Sequence, residues 1–287
     1  MGIRGIIMKI SIARSTGFCS GVRRAISGLE QVLEEQGKTY CLGEIIHNPQ
    51  VVERLKGLGM VVVKSIGEVP EGSRFIIRSH GLPKEDVSEA EKRDLEIYDF
   101  TCPKVKKTHT LVKDLMARGY RCYIAGNPEH PEVKAILSLT GTKGTVVENE
   151  KELPAALPSG RIALVVQTTF NPGQFLNIAD RIILLSKKTL VCNTLCEETI
   201  KRQKEAKEIA GRVDLVVVVG GKGSSNTKTL YQIVREHTEA VQVETPEELK
   251  SEWFEGVNSV GVTSGASTPE QTVRFVADTI RTIAPAD

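Results

Sequence analysis

Short β-rich runs alternate with helical stretches along almost the whole chain, and this alternation limits the fold more than any other feature. An extended run over 9–13 precedes a helical pattern over 21–36, and one over 40–46 precedes a helical pattern over 49–58. Further extended runs lie at 74–78, 96–100, 121–125, 161–166, 190–193, 215–219 and 259–263. Strand followed by helix, many times over, predicts an α/β fold with parallel sheets, because parallel neighbours are joined by crossover connections that are usually helical. No Pro- or Ser-rich linker or low-complexity tract divides the chain, so boundaries must be read from repetition rather than composition.

The chain has 287 residues, enough for one large domain or two to three small ones. Lys and Arg number 38 and Asp and Glu 36, a net charge of +2. Such a balance lacks the field that draws a protein to nucleic acid or an anionic membrane, so any anionic ligand must be held locally. The longest aliphatic run, 215–219, is far short of the roughly 20 residues that cross a bilayer, and no secretion signal opens the chain. The expectation is a cytoplasmic protein with no membrane and no nucleic-acid partner. Residues 1–7 add little before the strand pattern begins, and Met8 is an equally good start. Nothing marks a dedicated interface, so a monomer is expected.

In open parallel sheets, ligands bind beyond the carboxyl ends of the strands, so the residues that follow each strand carry the functional signal. The first third of the chain places Cys19, His47 and His80 there, the second Cys102, His130 and Thr168. The last third places Cys196, then Ser224, Ser225 and Asn226, then Ser267. Each third opens with a cysteine and continues with two polar stations. The cysteines are 83 and 94 residues apart, which suggests three related α/β units about a pseudo-threefold centre. The units are 20–102, 103–192, and 193–287 together with 1–19.

Six cysteines dispersed through a chain without a secretion signal are not a disulfide framework. Cys41, Cys122 and Cys192 lie in apolar strand runs and read as buried small hydrophobes. Cys19, between Gly17 and Gly21, Cys102, before Pro103, and Cys196, before Glu197 and Glu198, lie instead at strand exits beside new helices. Helix N-termini favour thiolate. Three thiolates are one short of a closed tetrahedral zinc site, and an open position is where substrate binds. Zinc and a cubane iron-sulfur cluster both suit such ligands, and three-cysteine ligation leaves one iron of a cubane open.

His47, His80 and His130 share strand-exit positions and could surround an anion, whereas His109 and His237 lack that context and read as structural or exposed. The segment 220–226, Gly-Gly-Lys-Gly-Ser-Ser-Asn, follows an apolar strand and opens a helix, so its N–H groups and hydroxyls could cradle phosphate. It does not have the spacing of a Walker loop. Segment 261–269 repeats the design with Ser267, and each segment taken singly also reads as a plain helix cap. Together with the histidines they describe a diphosphate pocket. Glu132 is either a helix-start carboxylate or a general acid, if its surroundings keep it protonated. His130 and Glu132 have the His-x-Glu spacing of zinc deaminases, but the following Pro-Cys-x-x-Cys is missing.

Taken in order, Gly17-Phe18-Cys19-Ser20-Gly21-Val22, His47-Asn48-Pro49, Ser79-His80-Gly81, Thr101-Cys102-Pro103 and His130-Pro131-Glu132-Val133 form a distinctive series. It continues through Gln167-Thr168-Thr169, Cys196 with Arg202-Gln203, Ser224-Ser225-Asn226 and Gly265-Ala266-Ser267-Thr268-Pro269. This series resembles the 4-hydroxy-3-methylbut-2-enyl diphosphate reductases, the last enzymes of the non-mevalonate isoprenoid pathway. The resemblance implies a trefoil of three α/β units around a central 4Fe-4S cluster held by Cys19, Cys102 and Cys196. It implies a diphosphate bound by His47, His80, Ser224, Ser225, Asn226 and Ser267, with His130 and Thr168 completing the pocket.

The implied reaction is a two-electron, two-proton reductive dehydroxylation that gives isopentenyl and dimethylallyl diphosphates plus water. The open iron would act as Lewis acid on the allylic hydroxyl, and Glu132 with Thr168 would protonate it as it leaves. A ferredoxin or flavodoxin is the implied electron donor. Ser20, Arg78 and the 127–129 run Asn-Pro-Glu depart from the family pattern beside the proposed ligands without touching them. A zinc hydrolase with Glu132 as base, and a non-catalytic binder of phosphorylated metabolites, remain as alternatives.

Overall fold

The structure is a computed structural model and describes residues 8–283; the segment 1–7 ahead of the alternative start at Met8, and residues 284–287, lie outside it. The elements run in the order β1 (Lys9–Ile12), α1 (Ser20–Gln36), β2 (Thr39–Leu42), α2 (Pro49–Gly57), β3 (Met60–Val63), β4 (Arg74–Ile77) and α3 (Lys84–Lys92). Next come β5 (Glu96–Asp99), α4 (Pro103–Ala117), β6 (Arg121–Ala125), α5 (Pro131–Ser138), β7 (Gly144–Val147), β8 (Ile162–Val166), α6 (Pro172–Leu185) and β9 (Thr189–Val191). The chain ends with α7 (Glu197–Ala210), β10 (Leu215–Val219), α8 (Ser225–Arg235), β11 (Glu239–Val243), β12 (Ser259–Ser264) and α9 (Glu270–Ile283).

The strands form three four-stranded sheets, and every pairing in them is parallel. The sheet orders are β3-β2-β4-β5, β7-β6-β8-β9 and β11-β10-β12-β1. These are one order used three times. In the third sheet the last place is filled by β1, from the opposite end of the chain, so the repeat is circularly displaced. Each repeat opens with a helix, α1, α4 or α7, that directly follows Cys19, Cys102 or Cys196.

The described residues group into two compact units. The first holds residues 8–19, His47–Pro49 and 197–283, and with them the sheet that contains β1. Its central strand β10 is five aliphatic residues, all buried. Leu215, Val217 and Val219 pack with Val273, Val276 and Ile280 of α9, while Val216 and Val218 pack with Ala206 and Ala210 of α7 and Leu230 and Val234 of α8. Strand side chains alternate between faces, and because helices cover both faces the sequence shows an unbroken apolar run instead of alternation.

The second unit, residues 20–46 and 50–196, carries the other two sheets. Here Tyr123, Ala125, Leu164 and Val166 face Phe175, Ile178 and Ile182 of α6. Cys122, Ile124, Ala163 and Val165 face Val112 and Leu115 of α4 and Val133 and Ile136 of α5. Cys41 and Cys122 are fully buried core residues, as expected, whereas Cys192 lies just past β9 and is half-buried.

Three strands escape the sequence reading, β3, β7 and β11. Each is a sheet edge, not fully buried, and no polar station follows it. The run expected over 40–46 ends instead at Leu42, because Gly43 takes a positive φ of 66° that turns the chain out of the sheet.

Gly261 in β12 lets α7 approach the sheet closely: a Cβ there would overlap Ile209 Cγ2 and lie 3.2 Å from Val216 Cγ2. Valine is ordinarily the better strand residue. Gly261→Val should nevertheless destabilise by about 1–3 kcal/mol through overpacking, and adding Ile209→Ala should recover part of that loss. Urea unfolding of the two single variants and the double variant measures the coupling; strictly additive costs would show that α7 does not press on β12 at this point.

Candidate active site

Within the second unit, the exits of its two sheets present His80, Cys102, His130, Thr168 and Cys196. Cys102 is the N-cap of α4, with Pro103 in the first turn. Its backbone N–H donates to Ser79 O at 3.0 Å, which ties the thiol's loop to the residue before His80. Thr101 N donates to Asp99 Oδ1 at 2.9 Å, and Arg24 Nη1 donates to Thr101 O at 3.3 Å. The His80 and His130 rings meet edge to face, with centroids 5.3 Å apart and an interplanar angle of 82°.

His130 is the N-cap of α5, and its Nδ1 accepts a hydrogen bond from Glu132 N at 3.2 Å. A nitrogen that accepts carries no proton, so this bond selects the neutral tautomer with its hydrogen on Nε2. Glu132 is 1% exposed. Its Oε1 accepts from Thr168 N and its Oε2 from the Thr168 hydroxyl, both at 2.7 Å. Thr168 O in turn accepts from Cys196 N at 2.9 Å. One threonine therefore joins the buried acid to the loop of a cysteine.

Burial pushes the Glu132 carboxyl up, and the two Thr168 hydrogen bonds only partly oppose it, leaving a pKa of about 7. Cys102 is also raised. Desolvation is the largest cause, the N–H groups of Lys104 and Val105 lower it, and the nearby Cys196 and Glu132 charges add to the rise. The helix N-terminus at Cys102 does favour thiolate, but burial outweighs it, so the thiol form is favoured.

Gln167 is the residue that strand-exit reasoning leaves out of the site. Fully buried, it accepts from Asn127 N at 3.1 Å and donates to the Thr169 hydroxyl at 2.8 Å, and so braces the loops on either side of Glu132. Gly126 stands against it: a Cβ there would lie 2.7 Å from Val133 Cγ2 and 2.9 Å from Gln167 Cβ. The signal was the position of Gln167 directly before Thr168. His109, half-buried, packs under Gly81, whose Cβ would lie 2.8 Å from its Cε1, while His237 is exposed.

The first unit collects Cys19, His47, Ser224, Ser225, Asn226 and Ser267. Ser224 is the N-cap of α8, its Oγ accepting from Thr227 N at 3.4 Å, and its own N–H donates to Gly221 O at 2.9 Å. A side chain at Gly221 would strike the His47 carbonyl oxygen, so glycine is required where this loop passes His47. The Ser267 hydroxyl donates to the same carbonyl at 3.5 Å. Cys19 N donates to Ala266 O at 3.1 Å, one residue from Ser267. Asn226 is 4% exposed, and both polar atoms of its amide lack a hydrogen-bond partner. Such a group is costly unless something else completes it.

None of the six cysteines forms a disulfide. Among the described residues, no helix is long and apolar enough to cross a membrane.

Residues 10–281 match the family model of the LytB protein. The chain is 43% identical over 283 residues to the 4-hydroxy-3-methylbut-2-enyl diphosphate reductase of Aquifex aeolicus, covering 96% of this chain and 97% of that protein. It is 40% identical over 277 residues to the protein of the same name from Geobacter metallireducens, with 96% and 98% covered. A solved structure of (E)-4-hydroxy-3-methyl-but-2-enyl diphosphate reductase, described as the terminal enzyme of the non-mevalonate pathway, is similar at TM-score 0.70 and 42% identity, covering 96% of this chain and 99% of that one. The E-1-hydroxy-2-methyl-but-2-enyl-4-diphosphate reductase of Plasmodium falciparum is similar at TM-score 0.90 and 28% identity, covering 95% and 88%.

The electrostatics of Glu132 predict a pH dependence of stability. Its folded pKa of about 7 lies above the ordinary value of 4.5, so the native state holds the proton more tightly than the unfolded chain. Stability is therefore lost as pH rises through this window, by on the order of 3 kcal/mol, and is flat above it. Glu132→Gln removes the titration. Measured by urea unfolding, the metal-free variant should gain on the metal-free parent between pH 5 and pH 8; an unchanged difference would mean that Glu132 ionises freely.

Proposed function

Because the chain belongs to the LytB protein family, that of the 4-hydroxy-3-methylbut-2-enyl diphosphate reductases, we propose that it reductively dehydroxylates 4-hydroxy-3-methylbut-2-enyl diphosphate. The products are isopentenyl diphosphate and dimethylallyl diphosphate, with water, at the expense of two electrons and two protons. The observation that carries this reading is the buried Glu132, held by both donors of Thr168 in the same loop cluster as Cys196.

The donor set fits a 4Fe-4S cluster. Cys41 and Cys122 have pKa values pushed up to about 12 by burial and are inert core thiols. Cys19, Cys102 and Cys196 are half-buried, form no disulfide, and each directly precedes a helix. Cys102 lies near Cys196 and Glu132, so that ionising it beside them is disfavoured, a penalty that bound iron would offset. We assign these three cysteines as its ligands; three cysteines leave one iron without a protein ligand. When bound, the cluster would pass on, one at a time, the two electrons that the donor protein supplies, and would offer a Lewis acid for the allylic hydroxyl.

The protein's own residues do the rest. With a pKa of about 7, Glu132 carries its proton in about half of the molecules at pH 7. In that form the 2.7 Å contact reverses, Glu132 Oε2–H donating to Thr168 Oγ1. Thr168 then gives its own hydroxyl proton to the departing hydroxyl, which leaves as water, and takes that of Glu132 in exchange. The second proton, placed at either end of the reduced three-carbon segment, gives one product or the other. His47, His80, Ser224, Ser225, Asn226 and Ser267 hold the diphosphate, with His130 and Thr168 completing the pocket. His130 offers Nε2–H as donor, and the open amide of Asn226 gains its missing partner from a phosphate oxygen. The diphosphate does not react, so its binding energy serves to position the hydroxyl. The three repeats, 20–102, 103–192 and 193–287 with 1–19, are the units that the family resemblance would set about the cluster. The protein works as a cytoplasmic monomer, with a ferredoxin or flavodoxin as electron donor.

Anaerobically purified protein should hold about four iron and four sulfide per chain, as a cubane requires. Each of Cys19→Ser, Cys102→Ser and Cys196→Ser should lower the iron content. Colourless protein with zinc would favour a hydrolase, and ligand affinity without any metal a binding protein. Glu132→Gln should keep the iron and lose about 10²–10⁴ in turnover, the usual worth of a general acid; normal turnover would remove Glu132 from the mechanism. Asn226→Leu should be neutral or mildly stabilising without ligand, since it removes two unpaired polar atoms. With the diphosphate present, it should raise KM about tenfold or more.

A further inference from the structure

Helix α7 begins directly after Cys196, and two of its residues grip the loop that carries Cys19. Arg202 is 4% exposed, and its guanidinium forks between two carbonyls: Nη2 donates to Gly17 O at 3.0 Å and Nη1 to Ser264 O, at the end of β12, at 3.1 Å. Glu205, three residues on and so on the same helical face, accepts from Arg14 N at 2.6 Å and from Ser15 N at 2.8 Å, one on each carboxylate oxygen. Burial pushes the Glu205 carboxyl up, but these N–H donors and the Arg14 charge outweigh it, and it stays below the ordinary carboxylate range.

Three more backbone N–H groups of the loop are tied to β12 and the turn after it. Ala13 N donates to Val262 O at 2.8 Å, Gly17 N to Ser264 Oγ at 3.3 Å and Cys19 N to Ala266 O at 3.1 Å. Gly17 itself takes a φ of 77°, and a Cβ there would lie 3.2 Å from Glu270 Cβ. The loop thus has a single path, set from one side by a helix and from the other by a strand end.

We propose that Arg202 and Glu205 are positioning residues for Cys19, acting on the loop backbone so that the thiol is presented to its metal in one geometry. This rests on the reading of Cys19 as a cluster ligand. The choice of side chains follows from the task. Burying a guanidinium costs several kcal/mol in desolvation, which an apolar residue would avoid. Its planar fork holds two diverging acceptors at once, whereas a lysine ammonium in the same place reaches one. Glu205 complements it by taking two adjacent N–H groups that the loop would otherwise leave to water.

The test uses the anaerobic holoprotein, challenged with an iron chelator in the presence of iodoacetamide, with labelling of each cysteine read by peptide mass spectrometry. In Arg202→Met the ratio of Cys19 to Cys102 labelling should rise about tenfold, the effect of losing charge-assisted hydrogen bonds that hold the loop closed. Arg202→Lys should give a smaller rise, because one acceptor is kept, and Glu205→Gln a rise without removal of any group from the deepest part of the site. A general loss of stability would raise both labels and leave the ratio alone. An unchanged ratio in Arg202→Lys and Glu205→Gln overturns the proposal even if Arg202→Met does not fold. Parent protein that holds no iron, or whose iron does not protect Cys19, would instead sink the cluster assignment itself.

Discussion

In a parallel sheet every strand leaves from the same edge, and the rest of this structure depends on that constraint. A parallel neighbour is reached only by a crossover, so each strand hands the chain to a loop and then to a helix on the carboxyl side. Loops that carry chemistry accumulate there, and so do helix N-termini with unpaired N–H groups. Three sheets with one strand order, the third completed by β1, place Cys19, Cys102 and Cys196 at equivalent points, each just ahead of the first helix of a repeat. The architecture is a device for presenting short loops, and the rigid apolar strands behind them are what keep those loops in place.

Electrostatics then decide what the loops do. Glu132 and Cys102 both stand at helix starts, where the dipole favours a negative charge. Both are nevertheless raised in pKa, because burial outweighs the N–H groups that reach them. The same desolvation has two consequences. It brings a carboxyl pKa to about 7, so that the group holds its proton far above the ordinary carboxylate range, and it favours the thiol over the thiolate at Cys102. Glu205 is the contrasting case: its two backbone partners and the Arg14 charge win over burial, and it remains a fixed anion. The difference between an acid that moves a proton and one that holds a loop is set by how far each is buried and by what it faces.

Much of this was legible in the chain. The apolar run 215–219 announced a strand, which the structure buries on both faces, and the residues at strand exits marked where a candidate site should be sought. What escaped has a common character. β3, β7 and β11 are edge strands with no functional station after them, so chemistry does not flag them, and β7 and β11 carry exposed residues that break the apolar run; β3, Met-Val-Val-Val, was apolar enough to have been read as a strand. Gln167, Arg202 and Glu205 were visible as residues, but their roles were not, since each acts on backbone groups that lie far away in sequence. Arg202 meets Gly17 across 185 positions and Glu205 meets Arg14 across 191.

The sequence by itself determined the fold class, the family, and which residue types stand at each strand exit, because period and motif are properties of neighbouring residues. Tertiary structure alone decided that one threonine holds both oxygens of Glu132 and the N–H of Cys196. It also decided that the Asn226 amide is left open and that α7 fastens the Cys19 loop. These are matters of distance and of exclusion from water between segments far apart in the chain. No local pattern encodes them, and they turn a set of plausible side chains into a site with a defined charge state and a defined shape.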